Sequence, residues 1–470
     1  MKSGGFSAWG LITALLVVAG CGGFHESSTE GGEEVPGSDP KSSEGRQHGS
    51  SGETRVVLQS LGFDDESPSA VAVDRERNIV VLASFRNVAD FGTGPLIAPS
   101  PEAFNLALVK YRWDGTALWA RAFGTAPGIT GDVYARSLAV DRDGGIVFAG
   151  RNLNPIDFGG GPISAGGFLV KLDAGGQHVW SRPLHVDPNL FDSALAIDGS
   201  GHIALAGSFE GVLDFGTGPL SSASWPDGGP ASSAFLARFD SRGRTRWVYV
   251  NPTPSEGLGL ALEDDGDLLL SGWEAVGPRL FGTPMVLKFN PPGRQLWARR
   301  LTGAQGFARE VAVQGGTVVA LGHFSHPFRF AGRWVKPRGA GMFLAAFSNG
   351  DGDDRWARSH DADGRGLSMN DNGVFVTGAY EDGASLGQGP LEGDPGSPYN
   401  VFAARYDRLT GRPRWTRGGI ATGIAEVADL ATTPSGQSVV VGSFREGTVD
   451  FGTGPLVPES RDLFLFTLTR

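Results

Sequence analysis

Three histidines and four aspartates come nearest, by type and spacing, to a chemical site in this chain. His323 and His326 stand three residues apart and His360 is followed by Asp361, a set of imidazoles and a carboxylate of the kind that holds a transition metal. The H-x-x-H spacing is not the i, i+4 spacing that puts two imidazoles on one helical face, and loop histidines are commonly only solvated. Asp90, Asp157, Asp214 and Asp450 each open a copy of DFGTGPL or a close variant. Carboxylates repeated at one structural position form a partial ring that can hold Ca²⁺ or meet a basic partner. The same stretch also has a structural account. Its Asp can accept backbone N–H bonds two residues on, its glycines supply positive φ, Pro fixes the exit, and Phe and Leu can pin the loop against a neighbour. The acidic runs 264–267 and 351–354 resemble fragments of calcium loops without the Gly and the terminal Glu, and read as solvated turns. No cofactor is expected; calcium, and a transition metal on His323, His326 and His360, are left open.

The single cysteine, Cys21, cannot form an intramolecular disulfide, and its setting gives it another use. Lys2 supplies a positive start, residues 8–19 are mostly apolar, and the run closes on Val18, Ala19 and Gly20 before Cys21. This resembles the lipobox of bacterial lipoproteins. The resemblance implies a signal peptide over 1–20, diacylation of the thiol (palmitate or a similar chain), and Cys21 as the new N-terminus. Gly22, in place of Asp, is compatible in that family with delivery to the outer membrane. The expected location is the cell envelope, with the protein held to a membrane by lipid and not crossing it.

Residues 22–53 are Gly, Ser, Glu and Pro with almost nothing to bury, and should form an acidic, disordered tether from 21 to 53. The formal charge of the whole chain is −11 and no basic cluster offsets it, which excludes nucleic acid as a partner.

Beyond Thr54 an internal repeat dominates. One unit, Ser137 to Leu184, divides into four apolar or alternating runs separated by Asp/Gly turns: A (SLAVD), B (GIVFAG), C (GFLVKLD) and D (HVWSRPL). Trp119, Trp180, Trp247, Trp297, Trp356 and Trp415 mark six D strands, whereas A strands begin near seven positions: Ala70, Ser137, Ala194, Gly259, Glu310, Gly366 and Asp429. The missing D strand is supplied by Arg55 to Leu61, with Val57 in the tryptophan position. The expected fold is all-β: a seven-bladed β-propeller over 54–470 with four-stranded blades, its ring closed by strand 55–61 completing the C-terminal blade.

The unit AVD…GIVFAG…FLVKLD…W resembles the bacterial β-propeller repeat (SBBP-like) of secreted and surface proteins. The stretch 407–415, DRLTGRPRW, is similar to the repeat of PQQ-like propellers, which include a lipoprotein of the outer-membrane protein assembly machine. The resemblance covers 54–470 and implies fold far more than function.

In such a blade the B-to-C and D-to-A connections share one face, so every copy of DFGTGPL lies there. Tryptophans at one strand position pack between sheets, whereas Trp225 and Trp334 fall in B-to-C regions as candidates for recognition. No nucleophile elbow, P-loop or dinucleotide fingerprint is present, and no convergent set of titratable groups is legible for the central funnel. The reading is a non-catalytic, monomeric module that binds an envelope protein or a surface glycan. Its alternative is a carbohydrate-active enzyme in the funnel, either a quinoprotein-type dehydrogenase or a glycan-cleaving one.

Overall fold

The computed structural model describes residues 54–59, 61–62, 66–129, 131–186, 192–276, 282–339, 341–397 and 399–468. The expected signal peptide and tether, including Val18, Ala19, Gly20 and Cys21, lie outside the described residues. Among the described residues no helix is long and apolar enough to cross a membrane.

Short β-branched and aromatic runs between Asp/Gly turns can bury themselves only by stacking in layers. The structure does this with seven antiparallel sheets, each built from one A-B-C-D unit. In blade 2, A is Val133–Val140, B Ile146–Asn152, C Gly166–Leu172 and D His178–Leu184. B and C are almost wholly buried, because both of their faces meet neighbouring blades. One apolar cluster accordingly joins Leu82 and Leu108 of blade 1 to Phe148, Phe168 and Val170 of blade 2.

The ring is closed by the two ends of the chain. Strand Thr54–Gln59 pairs antiparallel with strand Asp462–Leu468, from Thr54 opposite Leu468 to Gln59 opposite Phe464. It is strand D of blade 7, beside A Ile424–Thr432, B Ser438–Arg445 and C Asp462–Leu468. The register corrects one expectation. Lys171 faces Trp180 in blade 2, and the equivalent Thr467 faces Arg55, so Arg55 and not Val57 occupies the tryptophan position. A slip of two residues preserves the apolar alternation, which is why the pattern could not reveal it.

The D strands latch each blade to the next. The indole N–H of Trp247, Trp297 and Trp356 donates to a carbonyl in the following blade's C-to-D turn: Pro291 (2.8 Å), Asn349 (2.9 Å) and Arg408 (3.0 Å). The ring lies on a glycine of that turn. At Gly293, a Cβ would meet Trp247 at 2.9 Å, and its φ of 91° already excludes most side chains. Two residues after the tryptophan, Arg358 donates through Nε to the Gly411 carbonyl at 3.0 Å. Blade 7 takes strand D from the other end of the chain and has no such turn. The buried Trp415 indole N–H of blade 6, which would use it, has no hydrogen-bond partner among the described residues.

Candidate functional site

The seven A strands line the central channel, and six of them carry a β-bulge at the same place, opposite the end of strand B. The extra residues are Ser69, Arg136, Leu258, Arg309, Arg365 and Ala428. Blade 3 pairs without a bulge from Asp192 to Ile197. A bulge re-aims a side chain that regular pleating would place elsewhere. Here all six bulge residues line a cavity of ≈ 570 Å³ at the mouth of the channel. The cavity opens toward the starts of the A strands, the face that carries the B-to-C connections.

One residue deeper lies the ring Ala70, Ser137, Ala194, Gly259, Glu310, Gly366 and Asp429. Small residues are required where neighbouring A strands approach: a Cβ at Gly259 would lie 2.6 Å from the Arg309 carbonyl oxygen and 2.8 Å from the Glu310 Cα. Two carboxyl groups therefore stand among glycines, alanines and a serine, with Gly366 between them in the ring. Burial, and secondarily the charge of Asp429, pushes Glu310 up to about 8. Burial also raises Asp429, to about 6, against the opposing effect of two N–H donors, Val71 (2.9 Å) and its neighbour Leu430 (2.7 Å). At neutral pH Asp429 is ionised and Glu310 keeps its proton, as expected when two acids share a desolvated ring. Burial lowers the Arg309 guanidinium, and Arg365 and Arg136 nearby lower it further.

The funnel thus contains a convergent titratable set, against the expectation from the sequence. The signal was present in the repeat: aligning the A-strand starts puts three arginines in one column and two acids in the next, where the other blades carry small or aliphatic residues. Tyr134, also in the lining, donates to Asp132 (2.8 Å) and is pushed up to about 12 by burial and then by that carboxylate.

The repeated aspartates lie elsewhere, on the B-to-C hairpins. Asp90 Oδ1 accepts from Gly92 (2.8 Å) and Gly94 (3.1 Å), and Asp157 from Gly159 and Gly161. Asp214 and Asp450 each accept three N–H groups of their own loops. The following Phe91, Phe158, Phe215 and Phe451 are all buried. Each of these hairpins also pairs with the end of the preceding blade's D-strand segment: Leu61 with Asp90, Thr125 with Ile156, His185 with Asp214, and Ile420 with Asp450. The four carboxylates therefore cap their own turns, and the loop recurs where one blade is clamped to the next. In blade 4 the corresponding Leu280 and Phe281 lie outside the described residues.

His323, His326 and His360 are not brought together as a ligand set. His323 stacks on Phe307, and the exposed His326 meets Ser325 at 3.1 Å. His360 is buried beside Tyr406, and burial lowers it to about 4. Among the described residues one acidic group could hold an ion, Glu263, Asp265 and Asp267. Lys288 already serves it, 2.6 Å from Glu263 and 3.0 Å from Asp267. Trp225 is half-buried in a turn closed by Gly229, whereas Trp334 is 59% exposed with Arg329 over its ring.

No family model matches the sequence, and no curated protein matches it. Among solved structures, a chain of a mitotic checkpoint complex covers 94% of this chain and 99% of its own at 10% identity, with a TM-score of 0.47. The β-propeller domain of the Trilobed protease from Pyrococcus furiosus, described as having an open velcro topology, covers 84% and 96% at 10% identity and TM-score 0.45. BamB from Moraxella catarrhalis covers 89% and 97% at 11% identity and TM-score 0.39. No function follows from likenesses this distant.

The remaining feature of the funnel face is apolar. Each B-to-C connection exposes one large apolar side chain: Ile97, Leu153, Val212, Val276, Trp334, Tyr399 and Val457 in blades 1 to 7. Single exposed apolar residues are ordinary, but one in every blade on the same face is a pattern.

Proposed function

We propose that the chain is a lipid-anchored protein of the cell envelope whose propeller binds a protein partner through the face carrying the B-to-C connections. The observation behind this reading is the exposed apolar residue that every blade presents on that face. Five of the seven are aliphatic and offer contact area without the ring faces on which sugars stack, which favours a protein over a glycan. The connections differ in length and composition from blade to blade, as binding surfaces on constant scaffolds do. The anchor is Cys21. Acyl chains there would hold the disc at a membrane surface, with the acidic segment 22–53 as a tether.

The test is affinity capture from detergent-solubilised envelope with the full chain as bait. One comparison bait carries Trp334→Ser with Ile97→Ser, and another has shortened segments 223–233 and 392–400. Proteins held by the wild type and reduced tenfold or more by the variants, at unchanged melting temperature, are the expected outcome. Equal capture by all three baits would remove the reading. Cys21→Ser should move the protein from the membrane to the soluble fraction, and continued membrane attachment would remove the anchor.

A second reading, an enzyme acting on carbohydrate in the funnel, is favoured by Glu310 and Asp429. One acid is protonated and the other ionised at neutral pH, the division of labour that acid/base chemistry uses.

A further inference from the structure

Arg309 is a half-buried guanidinium that makes no hydrogen bond or ion pair with any described residue. It is held over the Phe307 ring, 5.2 Å from its centroid, and Phe307 in turn stacks on His323. An arginine with five donors and no acceptor among the described residues, set by a bulge into an open cavity, has donors available to an anion. Arg136 and Arg365 occupy the same bulge position in blades 2 and 6 and line the same cavity. Asp363 takes one Arg365 nitrogen at 2.7 Å, which steadies that side chain. The Glu310 carboxyl, one level deeper, likewise accepts no hydrogen bond from a described residue. Elsewhere in the lining, the Ser137 and Ser193 hydroxyls of blades 2 and 3 meet at 3.3 Å.

We infer that the mouth of the central channel is a binding site for a small organic oxyanion, its carboxylate or phosphate held by Arg309 with Arg136 and Arg365, and its hydroxyl groups meeting the carboxyl and serine level below. Planar guanidinium forks match carboxylate and phosphate alike, so both chemistries are admitted. The cavity, ≈ 570 Å³, is of the size that small-molecule sites have. The titratable groups lining the site are Tyr134, Arg136, Arg309, Arg365, Arg461, Glu310, Glu426 and Asp429, with Asp363 paired to Arg365. Of the acids, Glu310 is held neutral at pH 7 and acquires charge as pH passes about 8, so an anion should bind more weakly in alkaline solution. This site lies at the centre of the face proposed to bind protein but uses none of the exposed apolar residues of that face, so the sugar titration and the capture experiment can fail independently.

Calorimetric titration of the full chain in detergent with D-glucuronate, D-glucose 6-phosphate and D-glucose tests the inference. At least one charged sugar should bind, with glucose at least tenfold weaker. The preferred head group tells carboxylate from phosphate. Arg309→Ala should weaken binding tenfold or more without lowering the melting temperature, and Arg309→Lys should restore part of it. Binding should fall several-fold from pH 7 to pH 9 in the wild type and much less in Glu310→Gln. Binding of neither charged sugar, equal binding of glucose, or indifference to Arg309→Ala would overturn the proposal.

Discussion

Glu310 shows how a single residue can be strained electrostatically where the backbone is relaxed. Its carboxyl is raised from an ordinary value near 4.5 to about 8, chiefly by burial. Between those values the folded state holds a proton that the unfolded chain has released. Its contribution to stability is therefore fully present below about pH 4.5 and is lost as pH rises through 8. Glu310→Gln keeps the shape and cannot ionise. It should match the wild type in urea melts at pH 4.5 and exceed it at pH 9, by on the order of 2–4 kcal/mol given about 1.4 kcal/mol per unit and some relief from water in the channel. A stability difference that does not change with pH would show that Glu310 is solvated. The shift could not be read from Glu310 alone, because one Glu in an A strand resembles any other surface acid. The charge takes on meaning only when seven distant A strands converge on one axis, and only a column-by-column reading of the repeat would have shown Arg309 and Glu310 as departures from small residues.

At the scale of the element, the D strand and its tryptophan carry the connection between blades. The repeat made this much legible: the spacing of Trp119 to Trp415 gave the blades, and one residue type at one strand position pointed to packing. It could not reveal the acceptors, which lie in the C-to-D turn of the next unit some 50 residues away, nor the register that puts Arg55 in the seventh tryptophan position. Trp356 and Trp415 are a matched pair, similarly buried at 6% and 4% exposure. Trp356 donates to Arg408, whereas Trp415 has no hydrogen-bond partner among the described residues. Replacing either by Phe removes the same ring volume, and only Trp356→Phe removes a hydrogen bond. Trp356→Phe should therefore be the more destabilising by about 1 kcal/mol. Equal losses in chemical denaturation would mean that the latch is packing alone.

The whole molecule depends on one pairing that covalent order does not provide. Strands A to C of blade 7 come from the end of the chain and strand D from residues 54–59, so the closing sheet is held across the ends by backbone hydrogen bonds and side-chain packing. Without that strand, the edge of Asp462–Leu468 would expose unpaired N–H and C=O groups beside the buried Leu463, Phe464, Leu465 and Phe466. The next residues, Leu61 and Gly62, pair with the blade 1 hairpin at Asp90 and Ala89, so the same segment ties blade 7 to blade 1 on the outside of the ring. Asp429 ties them on the inside, where its carboxylate accepts the Val71 N–H. Two truncations separate these contributions. Removal of residues 1–52 takes nothing from the described fold and should leave the melting temperature within a degree or two of the full chain. Removal of 1–62 takes strand D of blade 7 and the outer tie together. It should lower the melting temperature by ten degrees or more, and the newly open edge should drive association in a concentration-dependent way. Equal melting temperatures for the two truncations, with both monomeric by light scattering, would show that the ring does not rely on its closing strand.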